Sequence, residues 1–425
     1  MTTFALIAYL LCIAAAGADT PKPLSRSEAT AAVDATVKRI ADRSRAERAA
    51  ELKSGVLTID GARMPIWATQ FGPKSKDGTR PLWISMHGGG GAPAKVNDQQ
   101  WDNQKRLYQP SEGVYVAPRA PSNEWNLWHQ APVDRLFERL IEDLVICERV
   151  DPDRVYLMGY SAGGDGVYQL APRMADRFAA ASMMAGHPND ARPEGLRNLP
   201  FAIHVGGDDG AFDRNKVAAQ WGVMLDALAQ SDPGAYVHQV EVHAGKGHWM
   251  DREDASAVPW MAKYTRNARP LKVVWLQDDV THPRFYWLAV DEPKQGQRLV
   301  VTRQGQEITI VEAPPSLAVR ILLDDTMLDL DQDVRVTQDG KELFTGRVPR
   351  SKEVIDRTLQ ERFDPKAAFT AEVKVVTVAT AVVAPAAPAA PAAPAAPATP
   401  AAPATRAAPA PPRSRHALSI VTTCR

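Results

Sequence analysis

Gly159-Tyr160-Ser161-Ala162-Gly163 is the stretch of this chain best suited to covalent chemistry. It follows a short apolar run, Arg154–Met158, and leads into helical periodicity over Gly163–Met174. A serine between two glycines at a strand-to-helix turn forms a nucleophile elbow. The turn leaves no room for side chains beside the serine. It lifts the Ser161 hydroxyl clear of the sheet and aims the Ala162 N–H, at a helix start, into the same space. A second stretch, His87-Gly88-Gly89-Gly90-Gly91, comes directly after the apolar run Pro81–Met86. Four glycines let backbone approach a bound group closely, so the N–H groups of Gly89 and Gly90 join that of Ala162 as candidate oxyanion donors. His87 reads as a residue that orients this loop rather than as a base.

A serine that attacks a carbonyl needs an imidazole to take its proton and a carboxylate to hold that imidazole. On this strand-turn-helix frame both follow the serine, acid first. Of nine histidines, His87 and His129 come too early, His187 precedes any suitable acid, and His204 and His238 fall inside strand runs. His282 and His416 lie beyond the region of alternating strands and helices. His243 closes a strand, whereas His248 stands in Gly245-Lys246-Gly247-His248-Trp249, a loop able to reach over the sheet edge. His248 is therefore preferred and His243 is the alternative. The strand Phe201–Val205 leads into Gly206-Gly207-Asp208-Asp209-Gly210. Asp209 best fits an acid just past the strand end, with Asp208 the runner-up, and Asp213 suits a helix cap. No His, Asp or Glu cluster with ligand spacing stands near the elbow, so no metal and no other cofactor is expected.

These residues need a frame. Ser25–Lys53 reads as one amphipathic helix. From Val56 the pattern alternates strands (Pro81–Met86, Gly113–Ala117, Arg154–Met158, Ala179–Met184, Phe201–Val205, Tyr236–His243) with helices (Leu136–Glu148, Gly163–Met174, Asp213–Ala229). Alternation of this kind predicts an α/β fold, a mostly parallel sheet with helices on both faces. After Pro270 the pattern turns to short β-rich runs, Val273–Leu276, Arg284–Val290, Arg298–Thr302, Glu307–Val311 and Leu317–Leu322, with one helix over Ser351–Arg362. The expected organisation is a helical segment over 19–55, an α/β unit over 56–268 and a smaller β-sandwich-like unit over 271–380.

The stretch from about 79 to 265 resembles the serine hydrolases of the α/β-hydrolase fold. It is most similar to secreted esterases related to polyhydroxybutyrate depolymerases, feruloyl esterases and dienelactone-hydrolase-like proteins. His87–Gly91, Gly159–Gly163, Gly206–Asp209 and Gly247-His248 carry the likeness. The resemblance implies a Ser161, Asp209, His248 triad working through an acyl-enzyme. Dienelactone hydrolases proper use a cysteine nucleophile where this chain has Ser161. The β-rich region resembles no such family. Gly186–Pro200, the one connection where a lid could be inserted, is short, which suits bulky or polymeric esters. Trp125 and Trp128 in one loop, and Trp249 beside His248, are candidates to stack a ring of the substrate. Two other readings share features of the pattern: a prolyl-oligopeptidase-like peptidase, against which no propeller-sized region precedes residue 56, and a non-catalytic wall-binding protein.

Composition narrows the field further. Lys+Arg and Asp+Glu are both 50, so no basic footprint favours nucleic acid. Cys12, Cys147 and Cys424 form no CxxC pair, and no disulfide is expected; Cys147 reads as a buried helix residue. Phe4–Ala16 is nearly all apolar and too short to span a membrane, and Ala16-Gly17-Ala18 suits cleavage. Residues 1–18 thus read as a signal peptide, placing the protein outside the cytoplasm. From Pro385 to Pro403 proline recurs every third residue, so 381–425 reads as a disordered Ala/Pro-rich tail in extended polyproline conformation. The sequence sets no oligomeric state.

Overall fold

The computed structural model describes residues 22–379. The expected signal peptide and the Ala/Pro tail lie outside these described residues. The chain opens with α1 (Arg26–Ser54), whose Ser25 cap and Glu28 form a reciprocal capping box and whose end is set by Gly55 in the left-handed region. Eight strands follow: β1 (Val56–Ile59), β2 (Ala62–Phe71), β3 (Arg80–Met86), β4 (Gly113–Pro118), β5 (Val150–Tyr160), β6 (Ala180–Met184), β7 (Phe201–Gly206) and β8 (His238–His243). Between and after them come α2 (Ala94–Leu107), α3 (Ala131–Glu148), α4 (Ala162–Arg173), α5 (Arg214–Ser231) and α6 (Ala257–Met261). The eight strands make one sheet in the order β1-β2-β4-β3-β5-β6-β7-β8. β1 and β2 run antiparallel to their neighbours, while β3 through β8 are mutually parallel.

Period-two alternation sorts the buried strand residues between the two faces. Leu82, Ile84, Val114, Val116, Val155 and Leu157 join α3, α4 and α5 residues such as Leu136, Val167 and Trp221 in one core. Trp83, Tyr115, Ala117, Tyr156 and Met158 join Trp101 of α2 and Ala257 and Met261 of α6 in another. The sheet therefore carries helices on both faces. No element was expected over 94–107, because α2 is polar apart from a few positions; only Trp101 and Leu107 reach the core. β8 starts at His238 rather than Tyr236, where a positive φ of 52° breaks the extended run.

Nine strands and a helix follow: β9 (Lys272–Leu276), β10 (Arg284–Phe285), β11 (Leu288–Val290), β12 (Arg298–Gln304), β13 (Glu307–Glu312), β14 (Ala318–Leu323), β15 (Val334–Gln338), β16 (Lys341–Gly346), α7 (Lys352–Glu361) and β17 (Ala371–Val376). They form a four-stranded sheet, β10-β11-β14-β17, and a five-stranded sheet, β16-β15-β13-β12-β9. The run expected as one strand over Arg284–Val290 is a tight hairpin, because Tyr286 turns at φ 54°. β15, β16 and β17 were not anticipated. Cys147 is only half-buried, its sulfur facing α1 and packing against the apolar cluster of Ile40, Ile146 and Ile355.

A single apolar cluster runs from the large sheet into the two smaller ones, taking in Trp221, Val273, Trp287, Ile321 and Val336. Charge crosses the same boundary. Asp364, fully buried, accepts from Arg177 at 2.8 Å and from Arg266 at 2.6 Å. Arg362 pairs with buried Asp176, which also accepts the Tyr286 N–H at 3.0 Å. Burial alone would raise the Asp364 carboxyl, but the Arg266 and Arg177 guanidiniums beside it overcome that and hold it well below the ordinary carboxylate range. α1 straps across both parts, with Arg45 donating to Ile146 O at 2.8 Å and Arg39 meeting Asp356 at 2.9 Å.

Breaking a buried ion network from one side leaves the other charges unpaired. Asp364→Ala should therefore lower the unfolding free energy by roughly 3–5 kcal/mol. A urea midpoint unchanged from the native chain would show that this network does not hold the two parts together.

Candidate active site

β5 ends at Tyr160, and α4 begins at Ala162. Between them Ser161 sits at φ 58°, ψ −123°, a conformation L-residues rarely adopt. Close backbone approach makes that turn possible. A Cβ on Gly159 would stand 2.2 Å from Gly163 O, and one on Gly163 2.2 Å from Met86 O, so neither position has space for a side chain. The Ser161 N–H donates to Met184 O at 2.8 Å, pinning the elbow to β6.

Two loops from the same sheet edge bring the remaining groups. After β7 the chain turns, with the Asp209 N–H bonding Gly206 O at 3.0 Å. Asp209 is buried while Asp208 is exposed. After β8 the loop carries His248 back over the edge. His248 Nδ1 lies 2.8 Å from Asp209 Oδ2, and its Nε2 lies 2.9 Å from Ser161 Oγ. The structure thus brings together Ser161, Asp209 and His248. It sends His243 elsewhere, toward His204 and Glu253.

The glycine loop lies against the serine, since a Cβ on Gly88 would come within 3.0 Å of Ser161 Cβ. Gly89 and Gly90 take φ of 105° and 84°, which only glycine enters readily. The Gly90 N–H is not free for an oxyanion, contrary to the sequence expectation. It donates to Asn97 Oδ1 at 2.8 Å. No described residue takes the Gly89 N–H, which leaves it and the Ala162 N–H as the candidate donors. Asn97 is fully buried and also donates to Ala92 O and to Asn123 Oδ1, each at 3.0 Å. Arg119 in turn holds Asn123.

His87 does orient the loop. Its Nε2 accepts the Ala120 N–H at 3.1 Å, so its Nδ1 carries the proton and donates to Gly88 O at 2.6 Å. Burial pushes this imidazole down to about 4, so it stays neutral. Trp128 must be removed from the candidate substrate contacts. It is completely buried under the loop, and its indole N–H donates to His87 O at 2.9 Å. Trp125 and Trp249, by contrast, are 61% and 51% exposed, and Phe212, three residues past Asp209, is 58% exposed.

Sequence reasoning missed Asn97 and Tyr160. The Tyr160 hydroxyl donates to His248 O at 2.6 Å and accepts the Met250 N–H at 3.2 Å, anchoring the His248 loop to the elbow. Its place inside the glycine–serine motif was the available signal. Asp165, one turn past the serine, accepts the His187 N–H at 2.6 Å, and burial pushes its carboxyl up to about 6.

A serine after the fifth strand, an aspartate after the seventh and a histidine after the eighth occur in that order on a parallel sheet whose first two strands run antiparallel. The chain has the α/β-hydrolase fold. No family model matches it. It is 31% identical over 126 residues to NocK of Nocardia uniformis subsp. tsuyamanensis, a protein named as an esterase, covering 27% of this chain and 37% of that one. It is 30% identical over 144 residues to the bifunctional acetylxylan esterase/xylanase XynS20E of Neocallimastix patriciarum, covering 33% of this chain and 21% of that one. The aligned part thus spans well under half the length of either relative. Among solved structures, a thermostable esterase superposes with a TM-score of 0.39 at 18% identity, covering 51% of this chain and 64% of its own.

His87 and His129 must both fold uncharged, since burial brings each from 6.5 to about 4. Between those values the unfolded chain binds more protons than the folded one, so stability falls as pH drops from about 6.5 toward 4. The slope is at most about 1.4 kcal/mol per pH unit for each histidine. Melting temperature should decline through that window, and His87→Gln, neutral throughout, should decline less steeply. Parallel slopes for the two proteins would exclude His87 as a contributor.

Proposed function

We propose that this protein is a serine hydrolase that cleaves carboxylic esters through an acyl-enzyme. The observation that carries the reading is the unbroken chain from Asp209 through His248 to Ser161 on a left-handed elbow. In this mechanism His248 Nε2 takes the Ser161 proton as Oγ attacks the ester carbonyl. Asp209, holding Nδ1, fixes the tautomer and stabilises the imidazolium. The developing oxyanion lies between the N–H groups of Ala162 and Gly89, and their fixed dipoles favour the transition state over the ground state. His248 then gives its proton to the departing alkoxide. A water, activated by the same imidazole, attacks the acyl-serine and restores the hydroxyl.

Trp125 stands exposed on the loop after β4, packed against the glycine turn, while Trp249 and Phe212 stand exposed on the loops that carry the base and the acid. Their flat apolar surfaces suit a bulky or aromatic ester, and a polymer could lie across them. The β6–β7 connection holds only a short 3-10 helix, Pro193–Asn198, which supports access by large substrates. Among the described residues no helix is long and apolar enough to cross a membrane. The apolar run Phe4–Ala16 supports export of the chain.

A fluorophosphonate probe should label Ser161 of the purified protein. Ser161→Ala should lose labelling and reduce kcat on p-nitrophenyl acetate by roughly 10⁵–10⁶-fold. Turnover of the acetate but not of a peptide anilide is the expected pattern. Hydrolysis of the anilide at comparable rate would turn the reading to a peptidase, and no turnover of either would turn it to a binding protein.

A further inference from the structure

β7 and β8 run side by side with His204 in register with Glu241 and Gly206 with His243. Residues two apart on a strand share a face, so His204, Glu241 and His243 project together. That face is opposite α5, whose Trp221 and Leu225 pack with Ile203 and Val205. His204 Nδ1 lies 3.2 Å from His243 Nε2 and 3.5 Å from Glu241 Oε2, and the three ligand atoms fall within 4.8 Å of one another. A tetrahedral ion with bonds of about 2.0–2.1 Å holds its donors about 3.3–3.4 Å apart. These two separations, 3.2 and 3.5 Å, bracket that edge length.

We propose that His204, Glu241 and His243 form a binding site for a zinc-like divalent cation, with water completing the coordination. The donor set, two imidazoles and one carboxylate, is one that zinc favours. His204 is fully buried, and its Nε2 has no hydrogen-bond partner among the described residues, which leaves the ring free to turn its Nδ1 lone pair toward a metal. The donors are also held in place. His243 Nδ1 meets Glu253 at 3.3 Å, the carboxylate–histidine support usual behind metal-bound imidazole. Lys246 holds the other Glu253 oxygen at 2.9 Å. Gln239 and Ser256 both donate to the Glu241 carboxylate. The site requires no part of the ester chemistry, and its failure would leave the triad reading intact.

Its position gives it a consequence. His204 stands two residues before the end of β7, whose loop carries Asp209, and His243 ends β8, whose loop carries His248. A bound cation would tie the two strand ends together beneath those loops. The sequence reading, which sought ligand spacing near the elbow, could not pair His204 with residues nearly forty positions away.

Full-length protein stripped with EDTA and titrated with zinc in a calorimeter decides the matter. One zinc per chain and a rise in melting temperature with added zinc are expected. Cobalt bound in place of zinc should show the visible bands of a four-coordinate ion. His243→Ala should abolish uptake, and Glu253→Gln should weaken it about 10–100-fold. Because His243 and His204 are buried, Glu241→Gln, at a half-buried position, provides a variant whose folding is not in question; it should weaken zinc by at least tenfold. No stoichiometric uptake by the native chain, or equal uptake by Glu241→Gln, would overturn the site and leave a hydrogen-bonded histidine pair in its place.

Discussion

The strained backbone at Ser161 governs the rest of the site. A serine at φ 58° costs on the order of 1–3 kcal/mol and persists only where its surroundings permit nothing else. Here three strands, β3, β5 and β6, and the helix α4 converge on it. β3 touches Gly163 through Met86 O, β6 takes the Ser161 N–H through Met184 O, and Gly164 and Gly186 pass one another with no space for a Cβ. The strain is therefore supported by backbone packing on every side rather than by a particular side chain. Relaxing the turn would tip the hydroxyl away from both the imidazole and the Ala162 N–H.

Once the serine is placed, the other groups need only be carried to it. The parallel sheet does this by bringing all its β-to-α loops to one edge. Loops are mobile by default, and the glycine turn and the His248 loop are both tied down. Asn97, Asn123 and Arg119 hold the glycine turn from outside, while His87 and Trp128 hold it from below. Tyr160 ties the His248 loop to the elbow itself, so Ser161 and His248 share one anchor. Catalysis by fixed dipoles depends on such preorganisation, because donors that must reorient during reaction lose much of their advantage.

How far the site was legible in the sequence follows from the range of the forces involved. The elbow is a local steric problem, and local glycines announce it. Asp209 and His248 were reached from chain order and loop position, because a parallel sheet dictates which strand ends lie beside the elbow. The orientation of an N–H or an indole is another matter. Gly90 and Trp128 were misassigned because their partners, Asn97 and His87 O, become neighbours only through folding, and nothing in a glycine run or a tryptophan pair says which way each faces. The same limit hid α2, whose mostly polar surface lacks the stripe that marks a helix, and the β10–β11 hairpin, where one residue at positive φ divides an apolar run.

The C-terminal sheets bear on the chemistry without approaching it. α4 carries Ser161 at its start and a cluster of charges at its end, about 18 Å away at 1.5 Å per residue. At that far end Arg173 pairs with buried Asp134, which His282 also contacts, Asp176 meets Arg362, and Arg177 meets Asp364. His282, Arg362 and Asp364 all come from beyond residue 270. The helix that aims the Ala162 N–H is thus gripped at one end by the glycine packing of the elbow and at the other by ion pairs in a water-poor interface. Such pairs add little net stability over an apolar contact, but they tolerate few geometries. An apolar contact would let α4 slide along its axis. Directed charge pairs fix its axial position, and with it the distance between the Ser161 hydroxyl and the His248 imidazole.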